Sequence, residues 1–309
     1  MIVMSTRSLL GAGLAAAMLT LAGCGGASAT GSSGKLDVVA SFYPLEFVAK
    51  KIGGDRVDVT TLTAPGVEPH DLELTPKQVG SLGKAKLVVY EKGLQPAVDD
   101  AVEQNARDAG YDVSGDAELE PTGARFQEEG EKAHPGDLDP HFWLDPTRMS
   151  AVADGVAARL SAADPEGADG YKQRAEALKG ELGALDGEFK AGLASCTLKV
   201  FVTSHEAFAY LAKRYGLEQV GIAGFTPDAE PSPARIKAVQ DIVRQHHVTT
   251  IFYEELVSPK VAESVARDLH VQAAVLSPIE GLADASSTDD YLSLMRANLA
   301  ALKKANSCS

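Results

Sequence analysis

Short runs of β-branched and apolar residues alternate with segments of helical periodicity along most of this chain, and this alternation restricts its fold more than any other feature. In the first half, strands are predicted at residues 36–42, 57–63, 87–91 and 111–113. In the second half, they are predicted at residues 199–203, 220–225, 249–254 and 272–276. Strands that alternate with helices are typical of parallel βα units. We therefore predict an α/β protein in which each half forms a small doubly wound parallel sheet.

The predicted helices carry clear start signals and apolar stripes. Proline stands in the first turn of three helices in the first half, at Pro44, Pro76 and Pro96. In the second half, apolar residues recur at three- and four-residue spacing, at Phe208, Leu211, Ala212 and Tyr215 and again at Ile236, Val239 and Val243. This spacing places one face of each helix against a sheet.

The most regular helical segment lies between the two predicted sheets. Asp164 can cap it and Pro165 fits its first turn. Six apolar residues fall on one face: Tyr171, Leu178, Leu182, Leu185, Phe189 and Leu193. One helix over residues 165–194 is about 45 Å long at 1.5 Å per residue. We therefore predict an N-terminal lobe at 35–163, a linking helix at 164–195 and a C-terminal lobe at 196–309.

The amino end has the pattern of a bacterial lipoprotein signal. Residues 9–22 are apolar or small, a stretch long enough for a signal peptide but too short to cross a bilayer comfortably. Small residues and then Cys24 follow, which predicts cleavage after residue 23 and diacylglycerol on the Cys24 sulfur. An ordinary secretory signal that contains a cysteine is the alternative. Residues 24–34, rich in Gly and Ser, are predicted to form a flexible tether.

The net charge limits which partners the protein can bind, and the cysteines indicate the compartment in which it folds. The formal net charge is −14, which argues against nucleic acid and against electrostatic docking on anionic lipid, and is compatible with attracting cations. With Cys24 bearing lipid, Cys196 and Cys308 remain as one pair. Two such thiols outside the cytosol usually form a disulfide. Two free buried cysteines are the alternative.

Three of the seven histidines are predicted to lie where strands give way to helices. His70 follows the second strand, His141 precedes a helix that Pro146 can open, and His205 ends a strand. Ligands bind beyond the carboxyl ends of the strands in open α/β sheets, and imidazole is a natural ligand for zinc. Three further histidines precede strands on the opposite edge and are not assigned to a site: His246, His247 and His270.

A site that only holds zinc needs a fourth protein ligand, because zinc with three histidine ligands and an open fourth position is typical of a catalytic site. Glu280 is the best candidate, since it follows the last strand at a crossover equivalent to that of His205. Glu68 and Asp71, which flank His70, are the rival candidates.

Five segments carry a resemblance to a known family: Pro69-His70-Asp71, residues 141–146 (HFWLDP), 203–208 (TSHEAF), 224–233 (GFTPDAEPSP) and 252–260 (FYEELVSPK). In this order they resemble the zinc-binding solute-binding lipoproteins of ABC metal importers, a family that includes manganese-binding lipoproteins and streptococcal adhesin lipoproteins. The resemblance covers nearly all of the mature chain. It implies two (βα)₄ lobes bridged by a long helix, with the metal between them.

The resemblance also implies the ligands and partners. His70, His141 and His205 match the three histidine positions, and Glu280 matches a carboxylate position used by some members. Other members have aspartate there, or close the site with water or with the residue before the first histidine. The implied cargo is Zn²⁺, delivered to an ABC transporter permease by a protein that is lipid-anchored on the extracytoplasmic face of the cell membrane. We expect a monomer that binds no nucleic acid and is not an enzyme.

The chain departs from the family in one acidic segment, residues 126–139, which holds only one histidine, His134. Many zinc-binding members carry a long insertion there that is rich in histidine and acidic residues. A weak cation collector and a solvated, disordered loop both remain open for this segment.

Other functions remain as alternatives. A manganese or iron carrier of the same superfamily tends to have a carboxylate where His205 stands, so His205 favours zinc. A zinc hydrolase is disfavoured, because the His205-Glu206 start of a His-Glu-x-x-His motif ends on Ala209. An adhesin or a periplasmic metal chaperone would share the fold and the site and differ only in its partner.

Overall fold

The computed structural model describes residues 34–121 and 138–309. The predicted signal peptide, Cys24, nearly all of the tether and most of the acidic segment lie outside these residues. The described chain forms eight strands: β1 (Leu36–Ala40), β2 (Val57–Thr61), β3 (Leu87–Tyr90), β4 (Gly110–Asp112), β5 (Val200–Thr203), β6 (Glu218–Gly221), β7 (Thr250–Tyr253) and β8 (Gln272–Val275).

Ten α-helices accompany these strands in the described chain: α1 (Tyr43–Gly53), α2 (Pro76–Leu82), α3 (Pro96–Asn105), α4 (Ser114–Ala117), α5 (Pro146–Ala163), α6 (Ala168–Leu193), α7 (Ala209–Tyr215), α8 (Pro233–Gln245), α9 (Lys260–Leu269) and α10 (Tyr291–Ala305). None of the described helices is long and apolar enough to cross a membrane.

Two four-stranded sheets carry the fold, one in each half of the chain. Their strand orders are β2-β1-β3-β4 and β6-β5-β7-β8, and every pair of neighbouring strands is parallel. The predicted α/β class and the two parallel sheets are thus confirmed. In each sheet the chain first adds a strand on one side of the opening strand and then on its other side. This reversal opens a crevice at the carboxyl ends of the strands, beside β1 and β5.

Side-chain caps and prolines fix where several helices begin. Thr75 forms a capping box with Gln78, in which each side chain bonds the backbone N–H of the other residue, ahead of Pro76. The Asp145 carboxylate accepts the Thr147 N–H at the start of α5. The predicted proline starts are confirmed, although α1 begins one residue earlier, at Tyr43.

The segment between the sheets contains the longest helix of the described chain, α6. The six apolar residues predicted to share one face are all buried. The start differs from the prediction, because Pro165–Gly167 form a 3-10 turn before α6 and Asp164 makes no side-chain cap. The Asp164 carboxylate instead accepts hydrogen bonds from the Arg56 guanidinium, at 2.6 and 2.9 Å, and from the Tyr171 hydroxyl, at 2.7 Å. The proposed lobe boundaries on either side of this segment stay a prediction.

The largest hydrophobic cluster spans the two halves, and each half has a smaller cluster of its own. A continuous cluster of buried side chains runs from Val38 on β1 to Leu302 on α10 and includes the apolar face of α6. Polar contacts also join the halves, since the Trp143 indole N–H donates to the Pro278 carbonyl at 2.7 Å. Cys196 and Cys308 form a disulfide that ties the residues before β5 to the end of the chain.

Candidate metal centre

Four side chains from the two halves converge at the carboxyl edges of the sheets. Their ligand-type atoms lie within 4.8 Å of one another: His70, His141, His205 and Glu280. The first two belong to the first half of the chain and the last two to the second half. Within residues 34–121 and 138–309, no other group of three or more His, Cys, Asp and Glu side chains lies so close together.

His70 lies in the loop between β2 and α2, and its backbone is fixed from two sides. The Glu68 carboxylate accepts the His70 N–H, with both oxygens at 3.0 Å. The Gln95 side-chain amide donates to the Pro69 carbonyl at 3.1 Å. Glu68 is therefore occupied in shaping the loop, and its Oε1 lies 3.9 Å from His70 Nε2.

His141 is held by an acidic residue two positions earlier. The Asp139 carboxylate accepts both the backbone N–H of His141, at 3.0 Å, and its ring Nδ1–H, at 2.8 Å. The Tyr210 hydroxyl, from the other half, donates to the Asp139 carbonyl at 2.7 Å. Because Nδ1 is engaged by a carboxylate, Nε2 is the nitrogen that faces the centre.

His205 follows β5, and its ring is held by a carboxylate at the end of the neighbouring strand, β7. Glu254, directly after β7, accepts from Nδ1 of His205 at 2.8 Å and from the Ser204 hydroxyl at 2.7 Å. Glu254 and His205 are 2% and 1% exposed, so this hydrogen bond lies in the interior. It orients the ring and presents Nε2 to the centre.

Glu280 follows β8 in a loop whose backbone is constrained. The preceding residue, Ile279, has φ +58, a left-handed conformation that a β-branched side chain rarely adopts. The Asn298 side chain accepts the Ser277 N–H at 2.9 Å and donates to the Ser277 carbonyl at 2.6 Å. Strained backbone of this kind persists where surrounding structure holds it, often at functional sites. Here it directs the Glu280 carboxylate toward the imidazoles.

The loops that carry His70 and Glu280 meet directly. The Gly66 N–H donates to the Leu282 carbonyl at 2.8 Å. Gly66 has φ +81, and a Cβ at this position would lie 3.2 Å from the Ala283 carbonyl oxygen. Only glycine fits this conformation and this approach without strain, so the two loops are joined across the halves of the chain.

The distances from Glu280 to the three imidazoles match the spacing of ligands around zinc better than that of hydrogen bonds. Glu280 Oε1 lies 3.5, 3.3 and 3.3 Å from Nε2 of His70, His141 and His205. Charge-assisted N–H···O bonds are shorter, at about 2.7–2.9 Å. Ligand bonds of about 2.0–2.1 Å around a tetrahedral zinc place neighbouring ligand atoms about 3.3 Å apart.

The atoms that face one another are also unsatisfied. The three imidazole Nε2 atoms and both Glu280 oxygens are buried without a hydrogen-bond partner among the described residues. Leaving a buried polar atom unpaired costs on the order of 1–3 kcal/mol. A single cation bound between these five atoms would provide a partner for all of them. The residues present therefore fit a zinc ion.

The electrostatics of the centre couple cation binding to protons. Burial lowers the pKa of His205, but Glu254 and Glu280 outweigh burial and raise the net pKa to about 10. Burial likewise opposes the effect of Asp139 and Glu280 on His141, whose pKa also ends above its usual value. Burial raises the pKa of Glu280, and the imidazoles reverse this and hold it well below its usual range. A metal ion that enters must displace the imidazole protons.

The structure differs from the predicted placement of His141 and leaves Asp71 and the unassigned histidines outside the cluster. His141 does not directly follow a strand, because helix α4 stands between β4 and the described residues around it. Asp71, a rival fourth ligand, is exposed and is not part of the cluster. The histidines set aside, His246, His247 and His270, are also outside it.

Three buried carboxylates near the centre were not identified from the sequence as functional residues. Asp139 and Glu254 each hold a histidine ring, as described above. Glu91 follows β3 and is 1% exposed. Sequence signals for the first two existed, since Asp139 lies two residues before His141 and Glu254 ends a predicted strand at the same sheet edge as His205.

A cavity of about 490 Å³ lies beside the centre. Its walls include His70, Asp71, Glu91 and Phe225. The Phe225 ring, from the second half, stacks over His141 with ring centroids 6.3 Å apart and an angle of 21° between the planes. The cavity therefore adjoins His70 directly, and Phe225 lies between it and His141.

Comparison with known proteins agrees with this geometry. Residues 38–305 match the family described as zinc-uptake complex component A, periplasmic. The chain belongs to the ZnuA family. Among relatives, the high-affinity zinc uptake system protein ZnuA of Bacillus subtilis is 34% identical over 306 residues, covering 94% of this chain and 95% of the relative.

Other ZnuA-like relatives differ in length or in the function for which they are named. The zinc-binding lipoprotein AdcA of Streptococcus pneumoniae is 35% identical over 282 residues, and the match spans only 56% of AdcA, about half of that protein. The Zn(II)-bound ZnuA-like domain of AdcA superposes with a TM-score of 0.75 at 33% identity, covering 88% of this chain and 99% of that domain. The laminin-binding adhesin of Streptococcus agalactiae superposes with a TM-score of 0.78 at 33% identity, with the same coverage of 88% and 99%.

Proposed function

We propose that this ZnuA-family chain binds one zinc ion through His70, His141, His205 and Glu280 and delivers it to an ABC-type importer. The observation that supports the proposal most is the set of five buried, unpaired atoms on these four residues. The names of the relatives, which include zinc-binding and zinc uptake proteins, agree with this cargo.

Zinc fits the donor set better than a harder cation does. Three imidazole nitrogens and one carboxylate suit zinc and its neighbours, whereas manganese prefers sites with more oxygen ligands. Asp139 and Glu254, which hold two of the rings, raise the basicity of those imidazoles toward a metal. A manganese or iron carrier is therefore the weaker candidate.

The surroundings of Glu206 support a carrier rather than a hydrolase. In a His-Glu-x-x-His enzyme the glutamate after the first histidine acts as the general base. Here the Glu206 carboxylate binds the Arg235 guanidinium, with Nη2 at 2.7 Å. Four protein ligands also leave a tetrahedral zinc without an open position for a reactive water.

Zinc affinity measured by chelator competition tests the proposal. One equivalent of zinc should bind, and His70→Ala, His141→Ala and His205→Ala should each weaken binding on the order of 100-fold or more, since four ligands share a binding free energy of about 10–16 kcal/mol. His246→Ala, which removes a histidine outside the cluster, is the matched control and should leave affinity unchanged. Equal loss in the control, or stronger binding of manganese than of zinc, contradicts the proposal.

The fourth ligand is tested by comparing three carboxylates. Glu280→Ala should weaken zinc binding more than Glu68→Ala or Asp71→Ala, because only Glu280 lies within 3.5 Å of all three Nε2 atoms. The loss should be smaller than for a histidine, because water can fill the position. A larger loss in either rival variant would show that the fourth ligand is wrongly assigned.

We also propose that the protein is anchored through a lipid on Cys24, on the extracytoplasmic face of the cell membrane. The pattern of residues 9–24 and the similarity to relatives named as lipoproteins support this proposal. Mass spectrometry of the membrane fraction should find a mature chain that starts at an acylated Cys24. Cleavage elsewhere, or an unmodified Cys24, contradicts it.

A further inference from the structure

Glu91 is a buried carboxylate that the four-residue metal centre does not use. It lies at the carboxyl end of β3, lines the cavity beside His70 and is 1% exposed. Neither of its oxygens has a hydrogen-bond partner in the described part of the chain. A buried, unpaired carboxylate is unfavourable unless a proton or a cation neutralises it.

The charges around Glu91 add to its attraction for a cation. Three acidic residues act on it electrostatically and raise its pKa further: Asp139, Asp112 and Asp99. The Asp99 Oδ1 is also buried and unpaired among the described residues, while its Oδ2 accepts the Gly93 N–H. Lys92 is the one Lys or Arg among the described residues that line the cavity, and it is exposed. The region near Glu91 is therefore negative and adjoins His70.

We propose that Glu91 forms a transient binding site for a hydrated divalent cation in this cavity, from which the ion passes to His70 and the other ligands. The inference rests on the proposed zinc-binding function and adds the route by which the ion arrives. The cavity of about 490 Å³ has room for a cation that keeps part of its water shell.

Binding at this site is an exchange of a proton for a cation. Burial, with the acidic neighbours, raises the pKa of Glu91 well above its usual value, which favours the protonated carboxyl when no cation is bound. The cation binds the carboxylate and the proton passes to bulk water. When the ion moves on to the imidazoles, Glu91 takes up a proton again. The final four-ligand complex is left unchanged by this step.

Zinc association and dissociation rates, followed with a zinc-sensitive dye in stopped-flow experiments, test the inference. Glu91→Gln keeps the shape of the carboxyl group and cannot ionise, so it should slow both rates about fivefold or more. The equilibrium affinity should change little, because a site occupied only in passage affects both directions equally. Glu103→Gln is the matched control, since Glu103 is exposed on α3 and does not line the cavity.

A second variant tests the route without altering Glu91. Thr226 is exposed and lines the same cavity, so Thr226→Trp should narrow the passage and slow both rates together. Unchanged rates in either variant overturn the inference while leaving the zinc centre intact. Weaker affinity with an unchanged association rate in Glu91→Gln also overturns it, because Glu91 would then belong to the final centre. Failure of the unmodified protein to bind zinc defeats the proposed function instead.

Discussion

The Glu254 carboxylate accepts a hydrogen bond from Nδ1 of His205 at 2.8 Å, and both residues are buried. This bond sets which ring nitrogen is free for a metal. Glu254→Gln keeps the size of the side chain and removes its charge, so zinc affinity should fall about 10- to 100-fold, as for other carboxylates that orient metal-binding histidines. Chelator competition measures the effect. Glu255→Gln, at the exposed neighbouring position, is the control. Equal affinities for Glu254→Gln and the unmodified protein would contradict a positioning role.

Zinc affinity should rise with pH through the neutral range. An unperturbed imidazole, with a pKa of about 6.5, would lose its pH dependence above pH 7. The pKa of His205 is raised to about 10, so a proton still occupies this ring at pH 7 and zinc must displace it; the pKa of His141 is raised as well, which adds to the effect. Affinity should therefore increase about tenfold or more per pH unit from pH 6 to 8. Calorimetry in buffers of different ionisation enthalpy counts the released protons. A flat affinity profile would show that the imidazoles are not ligands.

Stability should depend on the disulfide between Cys196 and Cys308, whereas zinc binding should not. The bond spans a sequence separation of 112 residues, for which the chain-entropy estimate is about 4–5 kcal/mol. Cys196 precedes β5, at the sheet edge opposite His205. The double variant Cys196→Ser with Cys308→Ser should unfold roughly 10 °C lower by calorimetry. Its zinc affinity should match that of the unmodified protein. If stability and zinc affinity both fell, the expected independence of zinc binding from the disulfide would be contradicted.

Gly66 should be required for zinc affinity because it joins the His70 and Glu280 loops. Gly66→Ala introduces a Cβ at φ +81, 3.2 Å from the Ala283 carbonyl oxygen, and should displace one loop from the other. Affinity should fall roughly tenfold, in proportion to a strain of about 1–3 kcal/mol. Gly216→Ala is the control, since Gly216 also has positive φ, +68, with nothing within 4 Å of the added Cβ. Similar affinity losses in both variants would contradict a specific role for the Gly66 contact.

The sequence predicted the sheets well because the inner strands, β1, β3, β5 and β7, are short apolar runs that are mostly buried. The strand predicted at 220–225 is the exception, since β6 is Glu218–Gly221. Glu218 and Gln219 are only half-buried because β6 is an edge strand, so polar residues extend it. Ile222 and Ala223 are buried in the loop that follows, which gives this loop the apolar composition of a strand.

The sequence predicted which residues lie at the carboxyl ends of the strands, but not which side chains contact one another there. The structure brings together the four residues that the sequence selected, and their role as ligands stays a prediction. Which acidic residue supports each ring could not be predicted, because Glu254 and Glu255 are adjacent and only the tertiary fold turns the first toward His205. Glu91 was missed for a similar reason, since its lack of a partner becomes visible only when its neighbours are placed.

The division of the four side chains between the halves has a mechanical consequence. The first half contributes His70 and His141, and the second contributes His205 and Glu280. A zinc ion held by all four loses two bonds at once if the halves separate by an ångström or so, and neither remaining pair can complete a tetrahedron. Release is then abrupt rather than gradual. A permease that binds both halves and moves them apart can therefore release the ion without contacting it.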